Sequence, residues 1–299
     1  MVYHVPVLLD ESIEGLNIKP NGTYVDLTFG GGGHSSAILQ KLSPKGKLFG
    51  FDQDEDAIAN APKDKRFTFV RGNFRYFRNF LRYNGVLTVD GILADLGVSS
   101  HHFDSPERGF SFRHKGPLDM RMNPASSLSA AKVVNTYSQE KLVELFKLYG
   151  ELPNAFKVAQ EIAKVRQSAP IETVEKLFEI LGKHFPQKFQ NKMMAQTFQA
   201  LRIEVNSEME VLKQMLLQTP KALKSEGRLV VISYHSLEDR LVKNFIKSGN
   251  FEGKVDTDFY GNTSSPLYAV NRKVIVPSDE ENDRNSRARS AKLRIALKV

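Results

Sequence analysis

Short apolar runs alternate with helix-spaced segments over the first 110 residues. Thr23-Tyr24-Val25-Asp26-Leu27 reads as a buried strand, and so do residues 46–52, 67–70 and 89–95. Residues 35–42 and 54–60 read as helices between them. Strands alternating with helices predict βαβ units and a parallel sheet. From about residue 125 to 205 the texture changes. Leu142, Leu145, Phe146 and Tyr149 share one helical face, as do Val174, Leu177, Phe178 and Leu181. Gly150, Pro153, Pro170 and Pro186 punctuate this stretch. It predicts four or five short helices and no strand. The α/β texture then returns. Residues 208–223 form a helix stopped by Gly227, residues 228–233 a buried strand, and residues 237–248 another helix. The expected layout is an α/β sheet domain over 1–112 and 206–299, interrupted by a helical subdomain over 113–205.

The chain has 299 residues, 41% of them hydrophobic and 25% charged, which suits a globular protein with a sizeable core. No run reaches the roughly 18 apolar residues of a membrane span. Residues 1–6 lack a basic stretch followed by an apolar one, so no signal peptide is expected. Cysteine is absent, which excludes disulfides, thiolate metal sites and cysteine nucleophiles and fits a cytoplasmic enzyme. Lys plus Arg number 42 against 34 Asp plus Glu, a formal charge of +8. That balance suits a polyanionic partner and equally a basic soluble enzyme.

The chemistry concentrates at Asp26 and the glycines Gly30-Gly31-Gly32-Gly33, followed by His34. A strand, a glycine turn and a helix place this loop at the carboxyl edge of the sheet, where open α/β proteins bind ligands. Alone, the turn would serve a nicotinamide dinucleotide as well. Asp26 before the glycines suits the cationic end of S-adenosylmethionine, whereas a pyrophosphate favours a neutral or basic loop. Ser35 or Ser36 stands where the dinucleotide fingerprint wants its third glycine. Asp52 ends the second strand and is placed to accept ribose hydroxyls from either cofactor. Asp95 ends the fourth strand on the same edge. Phe74, behind Asn73 as N-cap, reads as an adenine cover or as core packing with Phe77 and Leu81. Asp26 reads as a cofactor contact or as a turn cap.

Two basic features bear on nucleic acid. Arg71, Arg75, Arg78 and Arg82 recur at helical spacing among aromatics, a phosphate-binding stripe or a solvated face. Residues 284–294 alternate arginines with small residues, a phosphate-binding tail or an edge strand over 292–297.

Several strings in order resemble the bacterial 16S ribosomal RNA (cytosine-N4) methyltransferase family over nearly the whole chain. They are His4-Val5-Pro6-Val7-Leu8-Leu9-Asp10-Glu11, residues 26–34, Asp95-Leu96-Gly97-Val98-Ser99-Ser100 and Glu107-Arg108-Gly109-Phe110-Ser111-Phe112. Gly116-Pro117-Leu118-Asp119-Met120-Arg121-Met122, residues 197–203, Ser236-Leu237-Glu238-Asp239-Arg240 and Arg287-Ala288-Arg289-Ser290 complete the set. The resemblance implies a Rossmann-like class I methyltransferase sheet with an inserted all-helical subdomain. It implies S-adenosylmethionine as methyl donor, and 16S ribosomal RNA or the small ribosomal subunit as partner. It implies transfer to the N4 amine of a cytosine in the decoding region. Family cofactor positions fall on Gly32, Gly33, His34, Asp52, Phe74 and Asp95. A further one, usually Gln, falls on His102, whose imidazole can still make one such hydrogen bond.

The cytosine amine is a poor nucleophile because its lone pair is delocalised, so an acceptor must take its hydrogen bond as it pyramidalises. The Asp/Ser/Asn-Pro-Pro-Tyr string of many DNA amino-methyltransferases is missing here. Asp95 is the first candidate acceptor, with Ser99 or Ser100 behind it, and then Asp119 and His235. Asp119 reads equally as a structural partner of Arg121, and His235 as a loop histidine. A hydride-transfer enzyme, a DNA amino-methyltransferase and a non-catalytic ribosome-assembly protein are the competing classes.

Overall fold

The computed structural model describes residues 6–98, 103–255, 265–271 and 273–299. It divides into two compact units: one runs to Gly97 and resumes at Met209, and the other is Val98–Glu208. In chain order the first unit begins with α1 (Leu9–Leu16), β1 (Thr23–Asp26), α2 (Gly33–Lys41), β2 (Lys47–Asp52), β3 (Phe67–Arg71), α3 (Phe77–Tyr83) and β4 (Val89–Asp95). The helical unit holds α4 (Ala130–Thr136), α5 (Gln139–Leu148), α6 (Ala155–Val165), α7 (Val174–Gly182) and α8 (Gln190–Asn206). The first unit is completed by α9 (Glu208–Ala222), β5 (Leu223–Ser233), α10 (Ser236–Ser248), β6 (Leu267–Ala269), α11 (Asp279–Arg284) and β7 (Lys292–Lys298).

The seven strands form one sheet in the order β3-β2-β1-β4-β5-β7-β6. β1 to β5 pair in parallel, and β7 runs antiparallel between β5 and β6. Both faces are covered, which is why the strands read as apolar runs without clean alternation. Val25, Phe49, Phe51 and Val231 pack under Phe77 of α3, Met215 of α9 and Phe245 of α10. Their neighbours Tyr24, Leu48, Val230 and Ile232 point the other way, onto Leu16 of α1 and Ile38 of α2. The chain steps from β1 outward to β3, then returns to the far side of β1 as β4. The strand order therefore reverses between β1 and β4, the switch point at whose carboxyl edge open α/β sheets bind ligands.

Several elements differ from the sequence expectation. Residues 54–60 do not form an α-helix: Glu55–Asn60 is a 3₁₀ segment capped by the Asp54 carboxylate. Only Ala57 in it is buried, so no apolar face supports a longer helix. Gly227 does not stop a helix either. Extended backbone begins at Leu223, and the β4–β5 register jumps from Val89↔Leu223 to Gly91↔Arg228, so residues 224–227 bulge out. Residues 292–298 form a strand inside the sheet rather than at its edge.

The helical unit has its own core, with Leu142, Phe146, Val158, Ile162, Leu177, Leu181, Met194 and Leu201 all fully buried. Ser129, Ser138 and Thr173 cap α4, α5 and α7 with their hydroxyls. Val98, Phe103, Phe110 and Phe112 pack into this same core. The division therefore falls at 97/98, and Val98, Phe103, Phe110 and Phe112 go with the helices rather than with the sheet.

Candidate active site

Asp26, Asp52 and Asp95 end three parallel strands and so line one edge of the sheet. Each is held by backbone of the adjoining loops. Asp26 is 1% exposed. One oxygen accepts from the Thr28 N–H at 3.1 Å and the other from the Ser35 hydroxyl at 2.7 Å. These are the bonds of a turn anchor. Asp26 stitches the glycine loop to the first turn of α2, and burial lifts its carboxyl to about 6 against the pull of those donors.

The glycine loop is shaped by close contacts. Gly32 caps α2 in the left-handed region at φ 77°, where a side chain would strike the Phe29 ring, and a Cβ on Gly33 would overlap the Pro6 ring. Gly30 donates its N–H to Asp52 at 2.9 Å, and its carbonyl accepts from Asn60 at 3.1 Å. α2 has no side-chain cap. Its first backbone N–H groups, from Gly33 to Ser35, lack the preceding carbonyl that helical bonding would need. They form an uncapped anion-binding end beside the loop.

Asp52 accepts from Gly30 through one oxygen and from the Asp54 N–H, at 2.8 Å, through the other. These donors fix the orientation of the carboxylate at the end of β2. Asn73 reaches back to Gln53 at 3.1 Å and fixes the loop after β2 to the loop after β3. Phe74 opens the 3₁₀ turn that follows and is half-buried against the core, so it has both a packed and an open side.

Asp95 is held from both its backbone and its side chain. Its backbone N–H donates to the Thr28 hydroxyl at 2.7 Å. Oδ1 accepts from the Tyr234 hydroxyl at 2.8 Å, and Oδ2 lies 3.8 Å from Nδ1 of His34. Burial raises its carboxyl to about 6, with His34 and Tyr234 opposing the rise. The His34 ring is buried and donates from Nε2 to the Val7 carbonyl at 3.2 Å. Burial lowers its pKa against the pull of Asp95. The His34 side chain is thus anchored on Val7, with Nδ1 turned toward Asp95. Tyr234 escaped the sequence reading. Its signal was its place directly after β5, on the same sheet edge as the three aspartates.

The remaining expectations resolve as follows. Asp119 lies in the helical unit and is gripped by Arg121, with its closest contact at 2.6 Å. Burial would raise its carboxyl, but the Arg121 hydrogen bonds outweigh this and hold it below the usual range. His235 is the N-cap of α10 in a capping box with Glu238. Ser99, Ser100 and His102 lie outside the described residues. The arginine stripe is partly used internally: Arg71 pairs with Glu55 at 3.0 Å, and Arg75 donates to Gln214 at 2.8 Å. In the C-terminal segment Arg294 clasps Asp239 with bonds of 2.7 and 3.1 Å.

The model of the MraW methylase family matches residues 1–299. The chain belongs to the MraW methylase family. Ribosomal RNA small subunit methyltransferase H of Bacteroides thetaiotaomicron is 60% identical to this MraW-family chain over 298 residues, spanning 100% of it and 98% of that protein. The protein of the same name from Flavobacterium johnsoniae is 58% identical over 299 residues, spanning 100% and 99%. A solved putative rRNA-methylase from Clostridium thermocellum covers 99% of the chain at 13% identity and a TM-score of 0.45, too distant to carry a conclusion. Among the described residues no helix is long and apolar enough to cross a membrane.

Proposed function

We propose that this protein transfers the methyl group of S-adenosylmethionine to the N4 amine of a cytosine in small-subunit ribosomal RNA, in the cytoplasm. The observation that carries the reading is Asp95, fixed at the carboxyl end of β4, next to β1 and to His34 in the uncapped first turn of α2. The donor set fits the cofactor. The free N–H groups of Gly33, His34 and Ser35 suit its carboxylate. Asp52 suits its ribose hydroxyls, and the open side of Phe74 suits its adenine. When bound, the cofactor supplies a methyl group made electrophilic by a sulfonium.

Asp95 then does the protein's part. Its carboxylate would accept a hydrogen bond from the target amine and help free the nitrogen lone pair from conjugation, so that the amine could take the methyl group as the methyl–sulfur bond broke. The amine proton passes to Asp95 and on to solvent. A base inside a duplex could not reach this position, so the cytosine is single-stranded or flipped. Asp26 acts through the loop it anchors. The choice of N4 and of ribosomal RNA rests on the family and on the names of its relatives.

The test is methyl transfer from tritiated S-adenosylmethionine to small ribosomal subunits and to naked 16S RNA, followed by mass mapping of the labelled base. Label on a cytosine N4 is expected, and lost in Asp95→Asn with the fold intact by circular dichroism. Label on DNA alone would favour the DNA amino-methyltransferase class. Normal turnover by Asp95→Asn would remove Asp95 from the mechanism.

A further inference from the structure

Tyr234 reaches Asp95 across 139 positions of sequence and makes the bond that decides which carboxylate oxygen is left to act. We propose that Tyr234 is a positioning residue for methyl transfer: its hydroxyl holds Oδ1 of Asp95, so that Oδ2 is the oxygen presented to the target amine. The inference rests on the acceptor role given to Asp95 above.

The geometry is built rather than incidental. Tyr234 follows the last residue of β5, and its backbone N–H donates to Oε2 of Glu238 at 2.8 Å. Glu238 is 2% exposed and is itself fixed by the capping box of α10. The next residue along, Asp239, ties α10 to β7 through Arg294. The string from Ser236 to Asp239 is thus a mount that aims one phenol at the end of β4. The phenol donates, because a carboxylate oxygen can only accept. Burial, followed by the charge of Asp95, pushes its own ionisation well above the usual range, so it stays protonated. Oδ2 faces Nδ1 of His34, but at 3.8 Å that contact is too long to be a hydrogen bond. Among the described residues Oδ1 therefore has a hydrogen-bond donor and Oδ2 has none.

The charged groups around Asp95 give the bond a second consequence. Asp26 from β1 and Glu238 from α10 favour its protonated form. His34 from α2 and Tyr234 favour its charged form. Glu281 acts on the phenol. Removing the phenol leaves a carboxylate that is both freer to rotate and easier to protonate.

Tyr234→Phe keeps the ring and deletes only the hydroxyl. Its kcat should fall about tenfold near pH 6.5 and less at pH 8.5, with the acid limb of the kcat profile moved up by about one pH unit. The affinity for S-adenosylmethionine by calorimetry should stay within about twofold. Carbon-13 NMR of the Asp95 carboxyl gives a readout that needs no turnover, and its titration should move up in the same variant. An unmoved titration would overturn the proposal by showing that the bond does not bear on Asp95. A moved titration with an unchanged kcat profile would overturn the positioning role while leaving the bond. Failure of the underlying reading looks different: Asp95→Asn would keep its activity, or the unsubstituted enzyme would label no RNA.

Discussion

The two units handle polar groups in opposite ways. The carboxyl and imidazole side chains buried in the sheet unit, Asp26, His34, Asp54 and Glu238, gather near the carboxyl edge or just beyond it. In the helical unit the one buried polar side chain among the described residues is Thr197, which bonds back to Met193 within its own helix. Burying an ionisable group is costly unless its partners are supplied. The sheet unit supplies them from four loops at once. The helical unit leaves its charged side chains at least partly exposed, as in the Asp119–Arg121 and Arg202–Glu208 pairs. The first arrangement is what a site of chemistry requires. The second is that of a packed scaffold.

This contrast can be broken or sharpened by substitution. Phe146→Ala in the helical core should cost about 3–5 kcal/mol in that unit's stability, read by chemical denaturation. Cofactor affinity should hold in native buffer. A parallel loss of cofactor binding would mean that the two units are not energetically separate. Asp52→Ala should weaken S-adenosylmethionine binding by about 2–4 kcal/mol, the worth of two charge-assisted hydrogen bonds, with little change in unfolding temperature. An unchanged affinity by calorimetry would contradict its ribose role.

A subtler test uses pH. Asp26 sits at about 6 in the folded protein, above the roughly 3.9 of an unfolded chain. The folded state binds that proton more tightly, so this group favours folding most at low pH. Its contribution fades as pH rises from about 4 to about 6. Asp26→Asn removes the dependence. The unfolding temperature of the variant should gain on that of the unsubstituted protein across this window. A constant difference would show that Asp26 titrates normally.

The smallest effect is expected at His235. Asn caps a helix about as well, so His235→Asn should change stability by about 0.5 kcal/mol or less and leave methyl transfer intact. A large loss of turnover would return His235 to the mechanism.

The sheet was legible because its strands are buried on both faces and announce themselves as apolar runs. The aspartates were legible because they end those runs. What sequence could not give were contacts made across distance. Asp26 offered two meanings, and only the positions of Thr28 and Ser35 separate them. His34 counted as part of the loop, whereas its ring is anchored on Val7 and lies beside Asp95. Tyr234 lay in a string whose spacing says helix cap and nothing about β4. The bulge at 224–227 was hidden because Gly227 looks like a helix stop whether or not a strand has already begun.

The interruption of the sheet between β4 and β5 also bears on how the molecule folds. Asp95 pairs with Ile232 in that ladder, and the whole helical unit lies between them in sequence. Closing so long a loop as free chain is entropically slow. The intervening helices make mostly local contacts and can form early. Once they do, the ends of β4 and β5 are joined by a folded body instead of a coil. Helices that formed first would thus shorten the loop to be closed before β4 and β5 could pair.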